Sequence, residues 1–556
     1  MFILRTAIDH SRAHGKALYV AFVDLVNAFL STDQPTLWSK VSHMGAGGLL
    51  VDWLRMMYRK MSYVVKLGPH HSDTFQSIIG ILAGDSSSPG LWNIYFSDFS
   101  VPSHPDDVCF GNQRISHVEQ ADDIVLFSTS QEGLQEKLDA LFLWCQRNSM
   151  TISHEKTKIW IAGPLPAVLP SFMVGCHSLT CVSKHKYVGI TICSTDRYFF
   201  LNIFKEHYYI KASKVRKSTN ALFGAENFVG TIPPKDGISL YMATVDPHLM
   251  SACDVSIDID EISLAELERV QKNFIRRLLG IAKRSPVAML FSETRMWPVK
   301  YRRLVLALRY WQYALSLPND HFLSYAMADA VNGKSSWMSD LVHALRRLPH
   351  LISLDVSRDW RPVDIDNLIE TVERSCLKDI HDFMASSPKA LLLHHCSPRA
   401  AHLHNGHASQ YVVSAFRSYL LVPVPTHRKA LARLLTSSHT LAVEVFRWTE
   451  RRRPSIPRDE RLCRYCRQEV EDEAHVLLYC DGSDDLRALR SEFFHKVFRI
   501  AGSPLSSSLR AAPTGFDVVR LLLQTDNVDI MCSFAKFVYN VFGIYQRLPV
   551  FMPQSE

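Results

Sequence analysis

The spacing of apolar and polar positions changes repeatedly over the first two hundred residues, and each change marks an element. Residues 17–24 (Ala-Leu-Tyr-Val-Ala-Phe-Val-Asp) form a short apolar run rich in β-formers that ends on a carboxylate. Such a run predicts a buried central strand that delivers Asp24 to the end of a sheet. Asp33 and Pro35 open a helical segment that runs to about residue 44. A second helix is predicted over residues 49–60, with Leu50, Trp53, Leu54 and Met57 on its apolar face, and residues 62–67 alternate like an edge strand. A Gly/Ser-rich stretch over residues 80–89 runs into an aromatic helix, with Ser87 or Ser88 as N-cap and Pro89 in the first turn. Residues 117–127 read as a tight hairpin with Asp122 and Asp123 at its turn. An amphipathic helix over residues 131–148 follows, with Leu134, Leu138, Leu141 and Trp144 inward, then strands at 156–160 and 186–192. The order predicts an α+β fold with helices on one face of its sheet.

The full 556 residues leave room for two to four domains. Apolar residues at 47% and charged residues at 21% are ordinary globular values, which excludes a disordered chain. A net charge of +7 is only mildly basic, so the placement of cations matters more than their sum. Twelve scattered cysteines form no disulfide framework. No apolar stretch is long enough to span a membrane and no signal peptide is evident, which points to an intracellular protein with the nucleus open to it.

Three places carry candidate chemistry. Two neighbouring carboxylates at a turn can share a cation, for which oxygen ligands suit Mg²⁺, although Asp-Asp also simply favours turns. The 80–89 loop offers bare backbone to a nucleotide or polynucleotide, and a plain helix-capping loop accounts for it equally well. Near the C-terminus, Cys463 and Cys466 are followed by His475 and Cys480 at a spacing that can close one tetrahedral Zn²⁺ site. Arg447, Arg451, Arg452, Arg453, Arg458 and Arg461 crowd toward that cluster, with Arg464 and Arg467 inside it, a pattern suited to phosphate-backbone binding. Between these regions, Ser263-Leu-Ala-Glu266 reads as a capping box. It opens a helix with Leu267, Val270, Phe274 and Leu278 inward and Gly280 as its stop. Lys272, Arg276, Arg277, Lys283 and Arg284 on or beyond that helix suit either a duplex backbone or solvent. His394, His395, His402, His404 and His407 lack regular ligand spacing and read as surface or packing residues.

In order along the chain stand Phe22-x-Asp24 with Ala28-Phe29, Gly80 to Gly84 with Ser88-Pro89, Ala121-Asp122-Asp123, Lys156-Thr157 and Tyr187-Val188-Gly189. This series resembles the reverse transcriptase of non-LTR retrotransposons over residues 1–195. The resemblance implies a right-hand polymerase palm at 1–195 and a helical thumb and connection at 196–316. Residues 317–446 would be a helical linker, and 447–556 an Arg-rich segment with a CCHC zinc knuckle and C-terminal helices. It further implies two Mg²⁺ ions on Asp24, Asp122 and Asp123, with Phe29 as the aromatic that rejects a 2′-hydroxyl. Gly84, Ser88 and Pro89 would line the template–nucleotide pocket, Lys156 would lie near the triphosphate, and Tyr187 and Gly189 would form the primer grip. One structural Zn²⁺ would sit on the knuckle. The implied partners are an RNA template, a DNA primer or target, and deoxynucleoside triphosphates.

Some positions depart from the family pattern. Ala83 stands where many relatives have Gln, Gln120 where Tyr or Phe precedes Ala-Asp-Asp, Ser153 where Asn is common, and Leu30 in place of a second Asp. None is an implied metal ligand. Only 16 residues precede Ala17, so the basic fingers are expected to be largely missing, as in an N-terminally truncated copy. No endonuclease or RNase H-like pattern is apparent. Two readings follow: an RNA-directed DNA polymerase core, or an inactive relic that at most binds nucleic acid through thumb and knuckle. For the chain as given, salt-sensitive binding to RNA or duplex is expected, with primer extension weak or absent.

Overall fold

The computed structural model describes residues 1–163, 168–194, 203–393, 412–449 and 455–552. Its sheet is built from β1 (Leu18–Val23), β2 (His117–Gln120), β3 (Asp123–Ser128), β4 (Lys158–Ala162) and β5 (Thr180–Cys181), in the order β5-β4-β1-β3-β2. All pairings are antiparallel except β4 with β5. β1 lies at the centre, as its unbroken apolar run predicts. Its side chains still alternate: Leu18, Val20 and Phe22 enter one buried cluster, Ala21 and Val23 the other. With both faces buried, the two-residue period disappears from the sequence.

Helices α1 (Phe2–Ala13), α2 (Gln34–His43), α3 (Leu49–Lys60), α4 (Ser88–Phe96) and α5 (Gln131–Arg147) belong to this part of the chain. α2 starts where Asp33 caps the N–H of Thr36, and α5 where Ser130 caps that of Gly133. α2, α4 and α5 cover the Ala21/Val23 face. The expectation of helices on one face only needs correction, because the Phe22 face is covered too. α1 packs there, beside a hairpin of β6 (Lys184–Tyr187) and β7 (Ile190–Cys193). That hairpin corrects the single strand expected over 186–192. Val188 (φ 44°) and Gly189 (φ 79°) turn the chain back between its two halves, a left-handed pair that suits a tight hairpin. The edge strand expected over 62–67 shrinks to Lys66–Leu67, paired with His70–His71. The apolar face of α3 is not inward as a whole: Leu50 is 70% and Trp53 53% exposed, while Tyr58 is buried.

The rest of the described chain is mainly helical, and its core is continuous with the Phe22 face of the sheet. It contains α6 (Lys205–Gly224), α7 (Pro234–Thr244), α8 (Glu261–Leu279), α9 (Val287–Thr294), α10 (Val299–Ser316), α11 (Phe322–Asn332), α12 (Trp337–Arg346), α13 (Pro362–Ser386), α14 (Pro425–Leu435) and α15 (Val528–Tyr545). α1 ties the two parts together. The Phe2 ring meets Trp337 edge-on at 5.6 Å, Arg5 bonds Asp340 and the Val255 carbonyl, and His10 pairs with Asp329 at 3.1 Å. Residues 317–446, where described, are therefore packed into the body rather than strung between two units.

α8 begins one turn earlier than the Ser263 capping box predicts. Asp260 is its cap and bonds the N–H groups of Ile262 and Ser263, while the buried Ser263 hydroxyl donates to the same carboxylate. An acceptor with two oxygens can serve both amides, which leaves Ser263 no capping work to do. Gly280 (φ 68°) ends the helix as expected.

Candidate active site

Asp24 follows β1 directly, and its backbone is fixed by the turn that leads into β4. Its N–H donates to Thr157 Oγ1 at 3.2 Å and its carbonyl accepts from the Ser153 N–H at 2.8 Å. Across the sheet, Val23 pairs with Ile124, so one further step of the same ladder brings Asp24 opposite Asp123. Counting by two places both carboxylates on the Phe22 face. On its other side Asp123 pairs with Gln120. The turn between β2 and β3 is Ala121-Asp122, with Ala121 left-handed at φ 56°. Thus only Asp122 occupies the turn, and Asp123 is the first residue of a strand.

The electrostatics report the same proximity. The Asp123 carboxyl titrates above the ordinary aspartate value, first through burial and then through the negative charges of Asp122 and Asp24. Asp24 Oδ2 is shielded from solvent and accepts no hydrogen bond. Its only ion-pair partner among the described residues is Lys156, whose Nζ lies 3.4 Å away on a largely exposed side chain. Neighbouring carboxylates, one with a shielded Oδ2 whose single partner among the described residues is an exposed ammonium 3.4 Å away, form an oxygen-only donor set that suits a hard divalent cation.

The other expected residues surround this acidic end unevenly. The Phe29 ring stacks on buried Trp92 at 5.5 Å and 18°. Gly84 is left-handed (φ 88°) in an exposed loop, with open space where a side chain would stand. Pro89 is exposed in the first turn of α4, whereas Ser88 is 1% exposed and donates its hydroxyl to the Leu82 carbonyl at 2.5 Å. Ser88 therefore shapes the loop from inside and does not face a ligand. Tyr187 packs against Phe22 with centroids 5.4 Å apart, and His185 stacks on the same ring at 4.1 Å. Burial, then the charges of Asp123 and Glu119, push the Tyr187 phenol upward, so the β6–β7 hairpin adjoins the acidic end. Sequence reading gave no role to Thr157, Trp92 or His185. Counting outward from Asp24 and Lys156 flags Thr157; nothing local marks the other two.

The second cluster forms as its spacing predicts. Sγ of Cys463, Cys466 and Cys480 and a ring nitrogen of His475 all lie within 4.8 Å of one another. Cys463 Sγ is 3.6 Å from Cys480 Sγ, and Cys466 Sγ is 3.4 Å from His475 Nε2. Two local features produce this. The Arg467 N–H closes a turn onto the Cys463 carbonyl, with Arg467 left-handed at φ 57°. Residues His475–Tyr479 form one π-helical turn, in which the Cys480 N–H donates to the His475 carbonyl, five residues back. Three thiols and one imidazole are a donor set for zinc. Tyr545 of α15 adds a hydroxyl 3.3 Å from Cys463 Sγ.

Among the described residues, Arg447, Arg458, Arg461 and Arg464 already have protein partners, which limits how far they can serve phosphate binding. Arg464 binds Glu471 and the carbonyls of Thr440, Tyr545 and Leu548. Arg461 donates to the carbonyls of Val443 and Ile456, Arg447 pairs with Glu444, and Arg458 with Asp472. Buried carbonyls and carboxylates need donors, and a guanidinium supplies five. Similarly, Lys272 pairs with Glu268, Arg276 bonds Ser285, and Arg277 lies over Phe223. Arg451, Arg452 and Arg453, and the five histidines from His394 to His407, lie outside the described residues.

Residues 3–192 match the reverse transcriptase (RNA-dependent DNA polymerase) family. Over that part the chain is similar to reverse transcriptases, including those within retrotransposable-element proteins. Its curated relatives include the Retrovirus-related Pol polyprotein from type-2 retrotransposable element R2DM of Drosophila melanogaster, 27% identical over 206 residues. That match covers 35% of this chain and 19% of the relative. A second is the Retrovirus-related Pol polyprotein from type-1 retrotransposable element R2 of Nasonia vitripennis, 24% identical over 156 residues, or 28% of this chain and 15% of that one. The matched part is thus less than a fifth of each relative. The sheet of this domain corresponds to a polymerase palm, within a mixed α/β chain that continues into helices.

Proposed function

We propose that this chain copies RNA into DNA by two-metal phosphoryl transfer, as the polymerase portion of a non-LTR retrotransposon protein. The observation that carries the reading is the β1–β3 register, which sets Asp24 beside Asp123 across almost a hundred residues of sequence. Asp24, Asp122 and Asp123 would hold two Mg²⁺, which when bound stabilise the attacking and leaving oxygens of the displacement. Phe29, whose ring stacks on Trp92, would exclude a 2′-hydroxyl and so favour deoxynucleotides; the stacking that holds the ring rigid supports this role. Lys156 is long and exposed enough to leave Asp24 for a triphosphate. Gly84 and Pro89 leave the loop before α4 open to the template–nucleotide pair, and Tyr187 with Gly189 shapes a turn against which a primer end can rest. Residues 196–316 act as thumb and connection. Cys463, Cys466, His475 and Cys480 hold one structural zinc, which would tie the Cys463–Cys466 turn to the His475–Cys480 turn. The partners are an RNA template, a DNA primer or target, and deoxynucleoside triphosphates. Among the described residues no helix is long and apolar enough to cross a membrane.

The test is primer extension on an RNA template with Mg²⁺ and deoxynucleotides, beside the double variant Asp122→Ala, Asp123→Ala. Extension by the unaltered chain that vanishes in the variant is the expected result. Template binding without any extension would overturn the polymerase reading.

A further inference from the structure

A cavity of 330 Å³ opens on the helical part of the molecule, on elements that contribute nothing to the acidic site. Tyr241 and Met242 of α7, Met296 and Trp297 of the link between α9 and α10, and Phe416 line it. Phe416 is held by a short backbone pairing: Thr294 bridges Phe416, and the Ala415 N–H donates to the Ser292 carbonyl at 3.0 Å. The polar groups at its floor are already satisfied. Asp246 is bound side-on by Arg302 at 2.7–3.1 Å, and Gln271 bonds Tyr241, Trp297 and Val299. Apart from Ile238, Ser239, Gln271 and Thr294, the uncharged lining is aromatic rings and thioethers.

Two exposed cations, Lys235 and Arg295, also line the cavity. Neither side chain makes an ion pair or hydrogen bond among the described residues. This sets them apart from the arginines around the cysteine cluster. Arg295 also sits left-handed at φ 58°, as the residue that ends α9, a position glycine usually takes. A side chain kept there at a backbone cost of roughly 1 kcal/mol or more suggests a role beyond the fold.

We propose that this cavity binds one unpaired nucleotide of a nucleic-acid strand, its base against the rings and thioethers and its phosphate on Arg295 and Lys235. The inference rests on the reading that the chain handles nucleic acid. The volume lies at the small end of ligand clefts, which run from about 300 Å³, so it accommodates a single base and not a duplex. Base–aromatic contact with a flanking cation is tolerant of sequence, as suits a strand passing over the surface.

The experiment crosslinks a single-stranded 12-mer carrying 4-thiouridine to the full chain and maps the adducts by mass spectrometry. In parallel it measures oligonucleotide affinity against salt for the unaltered chain, Arg295→Gly and Met242→Trp. Adducts on the Met296–Trp297 or Phe416 peptides are expected. Arg295→Gly removes the cation while relieving the left-handed backbone, so its Tm should hold or rise. Its affinity at 50 mM salt should nevertheless fall about five- to tenfold, with the salt slope shallower by about 0.7. Met242→Trp should fill the cavity and abolish the adducts while leaving both cations. If uridine monophosphate alone protects the same peptides, the nucleotide site stands and a free nucleotide is its source. Adducts elsewhere, with affinity and slope unchanged in Arg295→Gly, overturn the cavity proposal and leave the nucleic-acid reading standing. Absence of any oligonucleotide binding overturns both.

Discussion

Replacing Thr157 by Val tests whether the position of Asp24 is set from behind. Thr157 is fully buried and its Oγ1 accepts the Asp24 N–H at 3.2 Å. Valine keeps the shape and removes the acceptor, so the amide of Asp24, the first of the proposed metal-holding carboxylates, is left without a partner. A buried unsatisfied donor costs roughly 1–3 kcal/mol, and the length of this bond argues for the lower half of that range. On a chain of this size a loss of about 1–2 kcal/mol lowers Tm by only a few degrees. The effect on turnover should be much larger. If the amide rotates toward another acceptor, Asp24 moves relative to Asp123, and a misplacement near 1 Å can cost about 10²-fold. The assay pairs thermal unfolding with single-nucleotide extension, and Thr157→Ser, which restores the acceptor, is the control. Recovery of most of the lost rate by serine is expected. Should valine leave extension within twofold of the unaltered chain, the hydroxyl does not position Asp24 and the reasoning fails.

Other substitutions probe separate links. Because burial, Asp122 and Asp24 raise the folded-state value of Asp123 above its unfolded one, that group contributes stability at low pH and loses it as pH rises through the raised value. Asp122→Asn should therefore raise the Tm of the metal-free protein at pH 7 and change it little at pH 4; the opposite order in differential scanning fluorimetry would refute the repulsion. Cys463→Ser should lower zinc from one equivalent toward none and loosen amide protection over residues 461–480 before that of the sheet, measured by elemental analysis and hydrogen exchange. Leu50→Glu with Trp53→Glu, on the exposed apolar face of α3, should reduce concentration-dependent association in light scattering without lowering Tm, since neither side chain is buried in the chain itself.

Much of the site was legible in the order of residues because its determinants are local. An apolar run ending on Asp24, an acidic pair after an alternating segment, and a Gly/Ser loop before an aromatic helix each produce their element with short-range physics. The cysteine spacing likewise needed only a tight turn and one π-helical turn to close. Tertiary structure decided what depends on distant partners. The register of β1 on β3 set Asp24 opposite Asp123, and no feature of either strand alone specifies that pairing. Ser88 turned inward to donate to the Leu82 carbonyl across the loop, and Asp260 displaced Ser263 as the α8 cap because one carboxylate serves two amides. The arginines near the cysteines could not be judged from their clustering, because a guanidinium seeks whichever carboxylate or carbonyl the fold buries beside it. Coverage of both sheet faces followed the same rule: α1 and the β6–β7 hairpin lie on the Phe22 face within a core shared with the helical part, a long-range packing that no local pattern announces.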